Sequence, residues 1–239
     1  MNYVIIVAGG MGARMGTDTP KQFLLLCGLP VMMHTINAFH RSNSSPHIVV
    51  VIHPSLRSQW SALCKTHAFD VPHTIADGGK SRFESVRSGL NTVRATASDL
   101  ARSVIAIHDA ARPLISPKLI DNTYRQAALT NAVALAVRST NSIRLKSKSG
   151  LKNNAYPRED VYLMQTPQAF NGAILSDAYE QPNDESLTDD ASVVEKYGYP
   201  ITLLDGDSRN IKITFPQDLR IAEMLLGTTH LGRASDDAQ

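Results

Sequence analysis

Hydrophobic positions follow two rhythms that alternate along the chain. Continuous apolar, β-branched runs occur at YVIIVA (3–8), HIVVVI (47–52) and AVALAV (132–137), and SVIAIHDAARP (103–113) opens on another. Such runs mark strands covered on both faces. Between them, apolar residues recur at helical spacing. PVMMHTINAFHR (30–41) begins with Pro30, suited to a first helical turn, and sets Val31, Ile36 and Phe39 for burial. PSLRSQWSALCKTH (54–67) is similarly amphipathic, and SRFESVRSGLNTV (81–93) aligns Phe83, Val86, Leu90 and Val93 on one stripe. HTIADGG (73–79) reads as a short strand ending in a glycine turn, and Ser116 as the cap of a helix begun by Pro117. Repeated strand–helix units of this size predict an α/β fold: a Rossmann-like, mostly parallel twisted sheet flanked by helices.

The rhythm breaks after Val137. Residues 138–166 are polar, and SIRLKSKSGLK alternates around Ser149-Gly150, which predicts a protruding β-hairpin arm at about 139–163. FNGAILSDAYE (170–180) and DDASVVEKY (189–197) then read as helices, and ITLLDG (201–206) and NIKIT (210–214) as short strands. Thr214 with Gln217 makes a capping box for a last helix near 216–226. The expected organisation is one domain over 1–226, with 227–239 as a frayed tail.

Composition narrows the class. Hydrophobic residues at 43% and charged residues at 19% exclude disordered and fibrous chains. A net charge of +2 without a basic block leaves nucleic acid no electrostatic footprint, although a nucleotide needs only a few placed cations. No segment approaches the roughly 18 apolar residues of a membrane span. The opening MNYVIIVAGG reads as a strand with no basic leader. Cys27 and Cys64 form no CxxC pair, and Cys64 shares helical spacing with Trp60 and Leu56, as a core residue would. The expectation is a cytoplasmic protein with no membrane or nucleic-acid partner.

The chemistry begins at VAGGMGARMGTDTPKQF (7–23). A dinucleotide fingerprint wants G-x-G-x-x-G opening a helix. Gly10 and Gly12 fit, but Met15 holds the third position and Pro20 follows. GGKS (78–81) ends like a P-loop, but Thr74 stands where its first glycine belongs. What remains is a long glycine loop carrying its own cations. Gly9, Gly10 and Gly12 let backbone N–H groups turn toward an anion. Arg14 adds a planar fork of donors and Lys21 a compact charge. Two solvated cations beside a glycine turn are the competing reading. Asp109, at the carboxyl end of a buried strand, is where ligands bind in open α/β sheets.

This loop resembles the signature of the sugar-phosphate nucleotidyltransferases. With DGGKSRFESV (77–86), HDAARP (108–113), TPQAF (166–170), TDDAS (188–192) and NIKITFPQDL (210–219), the chain resembles the 2-C-methyl-D-erythritol 4-phosphate cytidylyltransferase family over about 3–225. The resemblance implies cytidylyl transfer from CTP to methylerythritol phosphate with Mg²⁺, in non-mevalonate isoprenoid synthesis. It implies Arg14 and Lys21 as stabilisers of the transition state. Ala8, Gly9, Gly10, Gly12, Gly79, Ser85 and Asp109 are implied to bind CTP, and Asp109 to hold the metal. Arg112, Thr140, Arg158, Thr166, Thr188 and Lys212, with Asp109, are implied to bind the alcohol phosphate. Lys212 is also implied in catalysis. Thr140 and Arg158 would come from the partner chain of a homodimer joined through the arm. Arg82 is expected behind these groups, and His108 as structural, because an ionised phosphate needs no base. Caps, turn salt bridges and strand threonines are the alternatives for Ser85, Arg112 and the threonines. Ser139 stands where the family commonly has aspartate, so ribitol 5-phosphate is the alternative alcohol. A nucleotide-binding protein without catalysis is the more distant one.

Overall fold

The computed structural model describes residues 1–9, 19–147, 149–150, 152–184 and 186–231, excepting the side chains of 228–231. In chain order its strands and helices are β1 (Asn2–Ala8), β2 (Leu25–Leu26), β3 (Leu29–Pro30), α1 (Val31–His40), β4 (His47–Ile52), α2 (Arg57–Thr66), β5 (Thr74–Asp77), α3 (Arg82–Thr96) and β6 (Val104–Asp109). There follow α4 (Pro117–Thr130), β7 (Ala132–Arg138), β8 (Ile143–Lys146), β9 (Asn153–Tyr156), β10 (Tyr162–Asn171), α5 (Gly172–Ala178), α6 (Asp190–Lys196), β11 (Thr202–Asp205) and α7 (Pro216–Leu231).

A seven-stranded sheet runs β11-β7-β10-β6-β1-β4-β5. All its pairings are parallel except those of β10, which is antiparallel to both β6 and β7. The mostly parallel, two-sided expectation holds. Alternate residues of β1 show why each strand reads as a continuous apolar run. Val4 and Ile6 enter one cluster with Met33, Ile36 and Phe39 of α1, Trp60 of α2 and Tyr124 of α4. Tyr3 and Ile5 enter the other, with Val86 and Leu90 of α3, Leu175 of α5 and Val194 of α6. Both faces are covered, so neither tolerates a polar alternate. Cys64 packs against the first cluster, as its spacing predicts.

β10 corrects the reading of the central region. The arm exists as the β8–β9 hairpin, but the chain returns through a ten-residue strand in the middle of the sheet. Its Gln165, Thr166 and Gln168 are buried, its register shifts between Met164 and Gln168, and Pro167 lies within that shift. Proline in a strand interior ordinarily argues against a central strand, except at such an irregularity. The helix expected from residue 170 accordingly begins at Gly172, where the Asn171 side chain accepts the N–H groups of Ala173 and Ile174.

Two further expectations fail near the C-terminus. NIKIT forms no strand; Ile213 N–H donates to Ala111 O at 2.8 Å, and the Asn210 carbonyl accepts from Arg112. Its backbone bonds go to the turn after β6 and to the Lys21 and Asp218 side chains instead of to a strand. Thr214 and Gln217 make no capping box. Instead the Asp218 carboxylate accepts the N–H groups of Thr214 and Phe215, both at 2.8 Å, and the helix runs on to Leu231, past residue 226. A carboxylate in the first turn also suits the positive end of the helix dipole.

Candidate active site

In the strand order the chain leaves β1 toward β4 and β5, then crosses back to place β6 on β1's other side. Ligands collect at such a switch point, outside the carboxyl ends of the strands. A cleft of about 310 Å³ opens there, with Ala8 at the end of β1 and Gly9 after it, Gly79 and Arg82 after β5, and Asp109 and Lys212 opposite.

Asp109 ends β6, and its carboxylate is 12% exposed, yet cations surround it. Lys212 Nζ lies 2.9 Å from Oδ2, Arg112 Nε 3.4 Å from Oδ2, and Arg82 Nε 3.9 Å from Oδ1. Burial pushes this carboxyl up, but Lys212, Arg82 and Arg112 together hold it well below the usual carboxylate range. Burial also works against the charge on Arg82, and its Asp190 partner more than offsets that.

The threonine of TPQAF ties β10 into this group. Thr166 Oγ1 accepts Asp109 N–H at 3.0 Å and bonds His108 Nδ1 at 3.1 Å, while His108 Nε2 lies 3.2 Å from Arg112 O. A carbonyl only accepts, so Nε2 carries the ring proton and Nδ1 accepts from the Thr166 hydroxyl. Burial pulls the His108 pKa down to about 4, so the ring is neutral, as a structural residue should be. Arg112 does close the turn onto Asp109, and its Nη1 also donates to Asn210 O at 2.8 Å.

Across the cleft, Ser85 does more than cap a helix. Its hydroxyl accepts Gly79 N–H at 3.1 Å and donates to Ser81 O at 2.9 Å, while Ser81 itself caps α3 by accepting from Glu84 N. A Cβ on Gly79 would come within 2.4 Å of Glu84 Cβ, so that turn requires glycine. On Gly9 it would meet Ser85 Oγ at 3.2 Å, so the Gly9 backbone packs closely against the Ser85 side chain. Lys21 starts a short turn anchored by buried Gln22, whose Nε2 donates to Ala8 O at 2.9 Å, and by Phe23, stacked on Trp60. Lys21 Nζ donates to Ile213 O at 3.0 Å, beside Lys212.

The fold thus brings Ala8, Gly9, Lys21, Gly79, Ser85, Asp109, Arg112, Thr166 and Lys212 around one cleft and its rim. Arg14, Gly10 and Gly12 lie outside the described residues. Thr140 and Arg158 sit exposed on the arm, where Arg158 Nη1 donates to Thr140 O at 3.4 Å; among the described residues neither hydrogen-bonds to the Asp109 group. Thr188 is exposed just before α6. Ser139 is buried and donates to Asn141 O at 3.3 Å.

The chain is similar to known proteins over almost its whole length. The model of the family described as IspD, 2-C-methyl-D-erythritol 4-phosphate cytidylyltransferase, matches residues 2–228. The chain belongs to that family. Two relatives bearing the same name come from Phocaeicola vulgatus, 43% identical over 94% of this chain and 99% of its own, and Porphyromonas gingivalis, 44% identical over 94% and 97%. A solved structure described as 4-diphosphocytidyl-2C-methyl-D-erythritol synthase superposes with a TM-score of 0.78 at 29% identity, over 94% of this chain and 98% of that one. The cytidylyltransferase from Thermus thermophilus gives 0.73 at 27%, over 94% and 98%. None of these carries a ribitol-phosphate name.

Sequence reasoning missed the partners that hold the candidate site in shape. Arg82 pairs with Asp190, Gln22 braces the first loop, and Asn210 Nδ2 donates to Thr166 O at 2.9 Å. DGGKSRFESV, TDDAS and NIKIT contain several of these residues, but nothing in a motif says which other motif it touches. Among the described residues no helix is long and apolar enough to cross a membrane.

Proposed function

We propose that this protein transfers the cytidylyl group of CTP to 2-C-methyl-D-erythritol 4-phosphate, releasing pyrophosphate. The observation that carries the reading is Asp109 at the switch point of the sheet, ringed by Lys212, Arg112 and Arg82 and facing the Gly9 and Gly79 backbones. An oxygen of the alcohol phosphate attacks the α-phosphorus in line, and the bond to the pyrophosphate oxygen breaks. The attacking oxygen is already ionised, so no base is required and no proton is transferred.

The backbones at Ala8, Gly9 and Gly79 receive the base, with Ser85 fixing the Gly79 peptide. Lys21, with Arg14 from the glycine loop, neutralises charge that builds on the reacting phosphoryl group and the departing pyrophosphate. Lys212 and Arg112 lie on the opposite wall and bind the incoming phosphate, aligning it for attack. Gly10 and Gly12 add backbone donors, and Thr166 and Thr188 border the alcohol pocket.

A divalent cation, Mg²⁺ in this reading, fits the donor set. Mg²⁺ keeps several waters and uses one or two carboxylates plus substrate phosphates. Asp109 supplies one carboxylate, and among the described residues the cation nearest its Oδ1 is Arg82, at 3.9 Å. Among the described residues no group of three or more histidine, cysteine or acidic side chains offers a rival site. Held by Asp109, such a cation would supply positive charge to screen the phosphates of the nucleotide. Thr140 and Arg158 reach an alcohol phosphate from the partner's arm in a homodimer.

The deciding assay is pyrophosphate release from CTP and Mg²⁺ with methylerythritol phosphate or ribitol 5-phosphate. Release with the former is expected; release only with the latter transfers the reading to the ribitol enzyme, and release with neither ends it.

A further inference from the structure

Behind Asp109, a second buried carboxylate competes for the same arginine. Arg82 opens α3, and its guanidinium engages Asp190 with both ends of the fork, Nη1 to Oδ1 at 2.7 Å and Nη2 to Oδ2 at 2.5 Å. Asp190 is fully buried at the start of α6. Tyr179, also fully buried, donates its hydroxyl to Asp190 Oδ1 at 2.6 Å and stacks on Phe83, centroid to centroid 4.6 Å. Only Nε of Arg82 is left to face Asp109, at 3.9 Å from Oδ1 and outside hydrogen-bond range.

The two oxygens of Asp109 are therefore unequal. Oδ2 takes Lys212 at 2.9 Å and Arg112 at 3.4 Å. Oδ1 accepts no hydrogen bond among the described residues and lies on the Arg82 side of the cleft. A guanidinium fork would otherwise choose a carboxylate this close, because bidentate pairing is the strongest contact it makes. Asp190 supplies that pairing, in a place fixed by Tyr179 and by the α6 terminus.

We propose that Asp190, braced by Tyr179, is a positioning residue that holds the fork of Arg82 away from Asp109 and so keeps Oδ1 open to the divalent cation. This rests on the function proposed above, in which Asp109 is the residue that would hold the cation. It also gives the Arg82–Asp190 pair a purpose beyond stability, for buried pairs are often replaceable by apolar residues at no loss.

Mn²⁺ serves as the probe, bound to full-length protein with CTP and without the alcohol, so that no turnover occurs. Enzyme-bound Mn²⁺ is followed by water-proton relaxation. Asp190→Asn frees the fork to close on Oδ1, and Mn²⁺ binding is expected to weaken roughly tenfold, the scale of one charge-assisted hydrogen bond to be displaced. Its crystal structure is expected to show Arg82 on Asp109 Oδ1. Arg82→Met combined with Asp190→Leu removes competitor and restraint together, and should bind Mn²⁺ at least as tightly as the wild type. A role limited to holding the fold would leave the double variant as weak as the single one. That result, or unchanged Mn²⁺ binding in a folded Asp190→Asn protein, overturns the proposal. If Asp190→Asn does not fold, the double variant decides alone. Failure of the wild type to release pyrophosphate on adding methylerythritol phosphate would refute the proposed reaction, while the order of Mn²⁺ affinities would still decide the role of Asp190.

Discussion

Lys212 Nζ sits 2.9 Å from Asp109 Oδ2, although one residue ends a central strand and the other belongs to a segment with no strand pairing. The lysine is aimed by its neighbours: Ile213 is fully buried and Ile211 packs in the same small cluster with Leu26 and Ala222. Lys212→Met should therefore leave the fold intact and weaken the alcohol phosphate selectively. KM for methylerythritol phosphate is expected to rise about 10- to 100-fold, as for a lost charged hydrogen bond, with KM for CTP near the wild-type value. Initial rates with each substrate varied in turn check this; an equal rise in both would remove Lys212 from the alcohol pocket.

Lys21 is held by a turn whose stability comes from Gln22 and Phe23 rather than from its own charge. Lys21→Ala should lower kcat about 10²-fold or more, the scale of one lost transition-state donor, with little change in melting temperature. An unaltered kcat would show that its charge takes no part in the chemical step.

Gly79 admits no side chain beside Glu84. Gly79→Ala places a Cβ 2.4 Å from Glu84 Cβ, so the turn must shift away from Ser85. Overpacking of this kind costs about 1–3 kcal/mol, and KM for CTP should rise with it. Denaturant titration and nucleotide titration read the two effects, and a wild-type CTP affinity would place the base elsewhere.

His108 and Asp109 make stability fall on acidification in separate windows. Folded His108 stays neutral down to about pH 4, whereas its ordinary pKa is 6.5, so the unfolded chain binds the extra proton between those values. Stability present above about pH 6.5 is lost progressively toward pH 4, by about 3 kcal/mol in full. Asp109, held low by its cations, contributes stability above the ordinary carboxylate pKa that is lost only at more acid pH. Chemical denaturation of His108→Gln between pH 7.5 and 4.5 should show a flattened dependence. A slope matching the wild type would mean that other groups set it.

The arm supplies a test of shared sites. In the homodimer proposed above, Arg158→Ala and Lys21→Ala should each be strongly impaired, because each would lack one contributor to every site. Equal mixtures, after subunit exchange, should regain about a quarter of wild-type activity, since half the dimers are hybrids with one intact site. No recovery despite exchange would place Arg158 in its own chain's site or outside any.

Residue order is enough to specify the layered α/β fold and to name most of the side chains that gather around the candidate site. Parallel strands buried on both faces must be apolar at every position, and α1 and α3 must show a periodic stripe; both constraints are local and are legible at 3–8, 47–52 and 81–93. Asp109 is legible because it follows the end of such a run. β10 becomes visible only in the folded chain, for its buried Gln165, Thr166 and Gln168 look like loop residues until their partners from other elements are present. The same holds for NIKIT, which pairs with a turn instead of a strand, and for Arg82, which answers to Asp190. Most buried polar groups are hydrogen-bonded, and the partners here lie far along the chain. Periodicity records which face of an element is dry; it does not record which distant residue completes a charge or a hydrogen bond.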